Sequence, residues 1–155
     1  MFEFIEGNEY LTDGNVSLKL IETNYGNEDI LPYYYYEIYN SSNNFVGKIS
    51  IRIGDNFNAY YNGHIGYEIF ENYRGNNYSF YSAKLVLNVA KLHKMTKLYL
   101  SCKKTNIASI KIIEKLGAAN KKIVSIPKTC FFYYDDIEDY CVYTLILDTI
   151  IEKDV

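Results

Sequence analysis

The residues Tyr73-Arg-Gly-Asn-Asn-Tyr-Ser79 join two segments of different pattern and so indicate the architecture of this chain. Residues 63–70 before it carry the β-branched and aromatic side chains of a strand, whereas residues 78–93 after it have helical periodicity. A strand that passes through a Gly- and Asn-rich turn into a helix leaves backbone N–H groups free, and such a nest suits a phosphate group. The alternative is a turn that only reverses the chain and caps the helix.

The segments that follow extend this unit. The polar side chains of residues 78–93 form one narrow stripe, so the wide apolar face predicts a helix packed deeply against a sheet. Residues 97–102 read as a short strand and residues 106–116 as a second helix, with Gly117 as its C-terminal cap.

The rest of the chain supplies mostly antiparallel strands. Their patterns predict strands at residues 16–21, 33–40, 45–53, 119–124 and 140–148. Residues 55–62 are expected to form a turn region, and no helix fits between the first two of these strands. The aromatic and acidic loop over residues 125–139 is either a lid over a site or an ordinary surface loop. The residues from Ile151 onward are expected to fray.

Length and composition favour one globular domain over residues 1–155. The net charge of −3 argues against an extended nucleic-acid surface, which needs clustered Lys and Arg. Three cysteines without CxxC spacing indicate neither a disulfide framework nor a metal site, so a cytoplasmic protein is expected. No run approaches the roughly 18 apolar residues of a membrane span, and the acidic N-terminus does not resemble a signal peptide.

The order of the motifs narrows the protein families that this sequence can resemble. After the loop, the chain carries Asn106-Ile-Ala-Ser109 and then Glu114-Lys-Leu-Gly117. With the surrounding strands and helices, this arrangement resembles the GNAT superfamily of acyl-CoA N-acyltransferases. The resemblance implies a single mixed α/β (α+β) domain with mostly antiparallel N-terminal strands, splayed central strands and two main helices. The family's N-terminal helix pair is short or missing here, because only residues 23–32 are available for it.

The resemblance also implies that acetyl-CoA is the acyl donor and that no metal takes part. The pyrophosphate would lie on backbone amides of the family's Arg/Gln-x-x-Gly-x-Gly/Ala loop, and the pantetheine would pair with the end of the central strand. The expected cofactor-binding residues are Ile69, Phe70, Arg74, Gly75, Asn76, Asn77, Tyr78, Ser79, Asn106 and Ser109.

Three residues depart from the family pattern. Asn77 replaces the first motif glycine of the loop, but Asn tolerates a left-handed conformation, so the turn can form. Ser79 replaces the following Gly or Ala and is still small. Ile113 stands where many members carry a tyrosine that protonates the leaving thiolate, a contribution of about 10²–10⁴-fold. Tyr99 or Tyr143 could substitute for it.

The acceptor amine also needs a base, because a lysine-like amine is mostly protonated at neutral pH. Glu68, on the central strand beside the expected thioester, is the candidate general base; alternatively, it is an exposed carboxylate or a partner for substrate charge. His64 lies on the same strand face and either relays a proton or is a structural histidine. His93 is expected to contact free carbonyls at a helix end, and Cys102 to behave as a small hydrophobe.

The sequence therefore predicts an N-acetyltransferase that moves the acetyl group of acetyl-CoA directly to a primary amine in a ternary complex. One alternative is a catalytically idle acyl-CoA-binding or interaction module of the same fold. Another is an unrelated nucleotide-binding module, although the loop lacks the P-loop lysine and the Rossmann spacing. The acceptor is expected to be a small molecule rather than a protein, with no nucleic-acid or membrane partner. Exposed strand edges make a homodimer plausible.

Overall fold

More of the described residues lie in strands than in helices, as the residue patterns predicted. The computed structural model describes residues 1–148, so the fraying expected from Ile151 lies outside the described residues. The strands are β1 (Tyr10–Thr12), β2 (Val16–Asn24), β3 (Tyr33–Asn40), β4 (Phe45–Arg52), β5 (Ile65–Ile69), β6 (Lys97–Lys103), β7 (Ala119–Val124) and β8 (Tyr140–Ile146). The helices are α1 (Phe57–Asn62), α2 (Tyr78–Leu92) and α3 (Ile107–Lys115), and Glu71–Tyr73 forms a 3₁₀ turn.

The first five strands make one antiparallel sheet in chain order, from β1 to β5. Alternation along β3 places Tyr34, Tyr36 and Ile38 fully in the core, while Tyr33 and Tyr35 stay partly exposed on the opposite face. One face of this sheet is therefore apolar and covered. The other is polar and open to a ligand.

Helix α2 packs against the apolar face, as its wide hydrophobic surface predicted. Its side chains Ala83, Val86, Val89 and Ala90 are completely buried. The C-terminal strands form a second sheet in the order β6-β8-β7, and the predicted cap Gly117 has a φ of 96° after α3. The result is the mixed α/β domain that the motifs indicated.

Two hydrogen bonds join the residue before β5 to the first half of β6. The His64 N–H donates to the Tyr99 carbonyl at 2.8 Å, and the Tyr99 N–H donates to Nδ1 of the His64 ring at 2.9 Å. Beyond this point the two strands belong to different sheets, and no ladder joins them within residues 1–148. The splayed central strands expected from the resemblance are thus confirmed, and they open a groove.

One local prediction was wrong, one strand was missed and one prediction was confirmed. Residues 55–62 hold α1 rather than a turn, because Oδ1 of Asn56 accepts a hydrogen bond from the Ala59 N–H at 2.8 Å and caps a helix too short to show periodicity. The three-residue strand β1 was also missed. Residues 25–32, between β2 and β3, contain no helix, as expected.

His93 does not contact free carbonyls as predicted. Its Nε2 lies 2.7 Å from the Tyr34 hydroxyl, and its ring stacks on Phe2 with centroids 5.1 Å apart. The last carbonyls of α2 already accept backbone N–H groups from residues 93–95, so the ring turns into the aromatic cluster instead.

Candidate active site

The splay between β5 and β6 forms a groove of about 630 Å³. It is lined by Tyr67, Glu68, Ile69, Tyr73, Arg74, Gly75, Asn76, Asn77, Tyr78, Ser79, Asn106, Ala108, Ser109, Lys111 and Ile112. The structure therefore brings together every predicted cofactor residue except Phe70. The Phe70 N–H donates to the Val46 carbonyl at 2.9 Å and its ring packs on Phe45, so this residue is held by β4.

The loop before α2 has the geometry of an anion nest. Gly75 has a φ of 88° and Asn77 a φ of 62°, so Asn77 does adopt the left-handed conformation. The backbone N–H groups of residues 75–79 donate to no other group within the described chain. Ser79 is buried, and the cationic side chains of Arg74 and Lys111 line the same groove. Free N–H groups and the helix dipole both favour a negative ligand here.

Asn106 and Ile69 fix the two sides of the groove. The Asn106 side chain caps α3 by accepting from the Ser109 N–H at 3.1 Å, which leaves its amide group available to a ligand. The Ile69 carbonyl accepts from Nε of Arg74 at 3.0 Å. The cap thus sets where α3 begins and so where Ser109 lies.

A second cavity of about 410 Å³ lies on the polar face of the five-stranded sheet. It is lined by Glu22, Ile30, Tyr33, Tyr35, Lys48, Ser50, Arg52, Asn62, Gly66, Tyr67, Glu68 and Phe131. Phe131 comes from the loop over residues 125–139, and its N–H donates to Oδ1 of Asn58 at 3.0 Å. The loop therefore contributes a wall to this cavity. Because Tyr67 and Glu68 line both spaces, the groove and the cavity meet at these two residues.

Tyr67 is the residue that sequence reasoning missed. Its hydroxyl donates to Oγ of Ser109 at 3.0 Å, and burial raises the pKa of the phenol, so it stays protonated at neutral pH. Strand alternation already placed it opposite to Glu68, but nothing in the sequence linked it to α3. Of the two tyrosines offered as substitutes for Ile113, Tyr99 packs on Tyr60 and His64, and Tyr143 donates to Glu114 at 2.9 Å. Neither lines the groove or the cavity.

His64 is a structural histidine, which is the second of its two expected roles. Nδ1 accepts from the Tyr99 N–H, so Nε2 carries the proton and donates to the Gly54 carbonyl at 2.8 Å. The ring is 1% exposed, and burial lowers its pKa, which keeps it neutral. Both nitrogens are occupied, so none is free to relay a proton.

Cys102 is inert for a similar reason. Burial raises the pKa of its thiol to about 11, so no thiolate forms near neutral pH and the residue acts as a small hydrophobe. Within residues 1–148, no group of three or more His, Cys, Asp or Glu side chains could hold a metal ion. No helix in this part of the chain is long and apolar enough to cross a membrane.

The family follows from a direct comparison. A model of the GNAT acetyltransferase domain matches residues 7–119, so the chain belongs to the GNAT acetyltransferase family. No curated protein sequence matches the chain.

Solved structures share the fold at low sequence identity. A GNAT-family acetyltransferase from Bacillus anthracis is 20% identical, with a TM-score of 0.55 over 72% of this chain and 65% of that one. The Salmonella typhimurium enzyme that modifies the N-terminal serine of ribosomal protein L7/L12 is 21% identical, with a TM-score of 0.54 over 75% and 64%. The microcin C7 self-immunity acetyltransferase, solved with acetyl-CoA and AMP, is 17% identical, with a TM-score of 0.57 over 74% and 61%. The chain spans less than two thirds of the length of these structures.

Proposed function

We propose that this protein is an N-acetyltransferase that uses acetyl-CoA and acts by direct transfer in a ternary complex. The observation that carries the proposal is the meeting of the groove and the cavity at Tyr67 and Glu68. Donor and acceptor can therefore enter from different sides and react without a covalent enzyme intermediate. The microcin C7 self-immunity acetyltransferase, which has the same fold and was solved with acetyl-CoA, supports this choice of donor.

The groove accounts for donor binding. The pyrophosphate lies on the N–H groups of residues 75–79, each charge-assisted hydrogen bond contributing about 1.5–3 kcal/mol. Arg74 and Lys111 offset the remaining negative charge. The pantetheine runs past Ile69 and Asn106 and brings the thioester to Tyr67.

The chemistry follows from the groups at the junction. The acceptor nitrogen attacks the thioester carbonyl carbon, the C–S bond breaks, and the amine proton passes to Glu68 directly or through water. Tyr67 donates to Oγ of Ser109, which leaves the Ser109 hydroxyl hydrogen free to reach the departing sulfur. This pair replaces the acid that Ile113 cannot provide. Positioning of the two substrates contributes about 7–11 kcal/mol more.

Calorimetry with acetyl-CoA tests the donor site, with Lys111→Glu as the variant and Lys122→Glu as its control. Both lysines are exposed, but only Lys111 lines the groove. We expect Lys111→Glu to weaken acetyl-CoA binding by about tenfold or more, because a charge-assisted contact becomes repulsive. Lys122→Glu should bind as the wild type does. Absence of affinity well above micromolar concentration, or equal binding of ATP or NAD, would refute the proposal.

A further inference from the structure

Arg52 is a charged residue of the acceptor cavity that the proposed chemistry leaves unused. It ends β4, is partly buried and lines the cavity. Its Nη1 donates to the Gly63 carbonyl at 2.8 Å. Within residues 1–148, this is the only hydrogen bond of the Arg52 side chain. No carboxylate of the described chain pairs with it. A guanidinium stays charged at neutral pH and carries several N–H donors, so most of its binding capacity is free.

Gly66 makes room for this guanidinium. A Cβ atom at Gly66 would lie 3.0 Å from Nη2 of Arg52 and 3.4 Å from Oγ of Ser50, which is the partner of Gly66 across the β4–β5 ladder. The guanidinium therefore lies over the bare backbone of β5, beside a hydroxyl group. Planar N–H donors next to a hydroxyl make a fork that fits a carboxylate or phosphate.

Glu68 supplies the opposite charge on the same face. It follows Gly66 by two residues along β5, which corresponds to about 7 Å in a strand, and it lies where the cavity meets the donor groove. Two further charged groups line the cavity. Glu22 accepts from the Tyr33 hydroxyl at 3.1 Å. Lys48 is the partner of Glu68 across the β4–β5 ladder, and its Nζ lies 5.9 Å from the Tyr35 ring centroid. The cavity thus has the Arg52 guanidinium at one end, and the Glu68 carboxylate with Lys48 opposite it at the other.

We propose that the acceptor is a small amine that also bears an oxyanion, a carboxylate or a phosphate, which Arg52 and Ser50 bind while its amine lies at Glu68. This deepens the proposed function and rests on it. A bound oxyanion supplies the partner that the chain does not give to Arg52, whereas a plain amine leaves that charge uncompensated. The cavity of about 410 Å³ suits a small molecule.

Matched acceptors test this directly. The pairs are 5-aminopentanoate against butylamine and 3-aminopropyl phosphate against propylamine, with the N-acetyl product measured for each. We expect at least one anionic acceptor to exceed its neutral partner in kcat/KM by about tenfold or more. The pair with the larger ratio identifies carboxylate or phosphate as the source of the oxyanion.

Arg52→Met should bring that ratio close to one, and Lys19→Met should leave it unchanged. Lys19 is an exposed cation on β2 that does not line the cavity. The ratio does not depend on the fraction of folded enzyme, so a folding defect in Arg52→Met cannot mimic the result. Equal acetylation of neutral amines, a ratio that survives Arg52→Met, or preference for a peptide N-terminus over all four amines would overturn the inference.

Calorimetry separates this inference from the proposed function. We expect 5-aminopentanoate or 3-aminopropyl phosphate to bind the complex of protein with CoA, and Arg52→Met to abolish that binding. Binding that depends on Arg52 without any turnover would contradict the acetyltransferase and leave the oxyanion site standing. Equal turnover of anionic and neutral amines would support the acetyltransferase and contradict the oxyanion site. Binding of neither anion would also contradict the oxyanion site.

Discussion

At the scale of single residues, Tyr67 links the parts of the site. Its backbone belongs to β5, its side chain lines both the groove and the cavity, and its hydroxyl reaches Ser109 on α3. In the proposed chemistry, the phenol stays protonated and donates to the Ser109 hydroxyl, and this pair takes the role that the isoleucine at position 113 cannot.

Tyr67→Phe tests this role. The change removes the hydroxyl and keeps the ring, so we expect kcat to fall by about 10²-fold while the affinity for acetyl-CoA stays near that of the wild type. Steady-state kinetics and calorimetry measure the two quantities. Tyr99→Phe is the control, because that ring packs on Tyr60 and His64 outside the site. An unchanged kcat in Tyr67→Phe would mean that another group protonates the thiolate.

Ser82 gives a prediction about stability instead of catalysis. Its Oγ is buried in α2 and has no hydrogen-bond partner within residues 1–148. A buried unpaired polar group costs about 1–3 kcal/mol, and Ala favours a helix more than Ser does. We expect Ser82→Ala to raise the free energy of unfolding by about 1 kcal/mol in urea denaturation.

Ser101→Ala is the matched control for that change. The Ser101 hydroxyl donates to the Tyr61 carbonyl at 2.8 Å, so the same substitution should lower the free energy of unfolding. If both variants shifted stability in the same direction, the unpaired hydroxyl would not explain the effect.

At the scale of elements, His64 decides where the groove starts. His64 connects the two sheets, because its backbone N–H and its ring both form hydrogen bonds with Tyr99 on β6. Its Nε2 donates to the Gly54 carbonyl. Protonation of Nδ1 would remove the acceptor for the Tyr99 N–H. The junction therefore depends on a neutral imidazole.

This dependence predicts acid sensitivity. Burial lowers the pKa of His64 in the folded state below its ordinary 6.5, so the unfolded chain binds the extra proton first. The stability from His64 is then present above about pH 6.5 and is lost as the pH falls through the folded-state pKa. Urea unfolding between pH 5 and 8, in steps of about one unit, should show this loss, and His64→Gln should show a smaller one. Equal pH dependence in both proteins would contradict it.

The predictability of each element depended on its length. Residues 78–93 contain enough turns for an apolar face to appear in the sequence, and α2 follows that prediction closely. Helix α1 has six residues and is set by a single cap, so no periodicity revealed it. The loop before α2 could be located because the backbone geometry at Gly75 and Asn77 is a local property.

At the scale of the whole molecule, the cavity on the polar face of the five-stranded sheet depends on the long-range register of its strands. Arg52 lies over Gly66, two residues before Glu68, because β4 pairs with β5 in one register, and a shift of β5 by one residue would turn Glu68 to the other face. Phe131 joins them from a loop far along the chain. No local pattern contains that information, so the sequence indicated the loop before α2 but not this cavity.

Turnover is the central test of the proposed acetyl transfer. The assay incubates the protein with acetyl-CoA and the matched amines, and measures released CoA and N-acetylated amine together. We predict equal amounts of the two products, with the rate in Glu68→Gln lower by about 10²–10⁴-fold and acetyl-CoA affinity intact. Glu37→Gln, on the same sheet face but outside both cavities, should match the wild type. If the wild type bound acetyl-CoA but formed no more product than Glu68→Gln, the proposed acetyl transfer would be contradicted. The protein would then be a catalytically idle module.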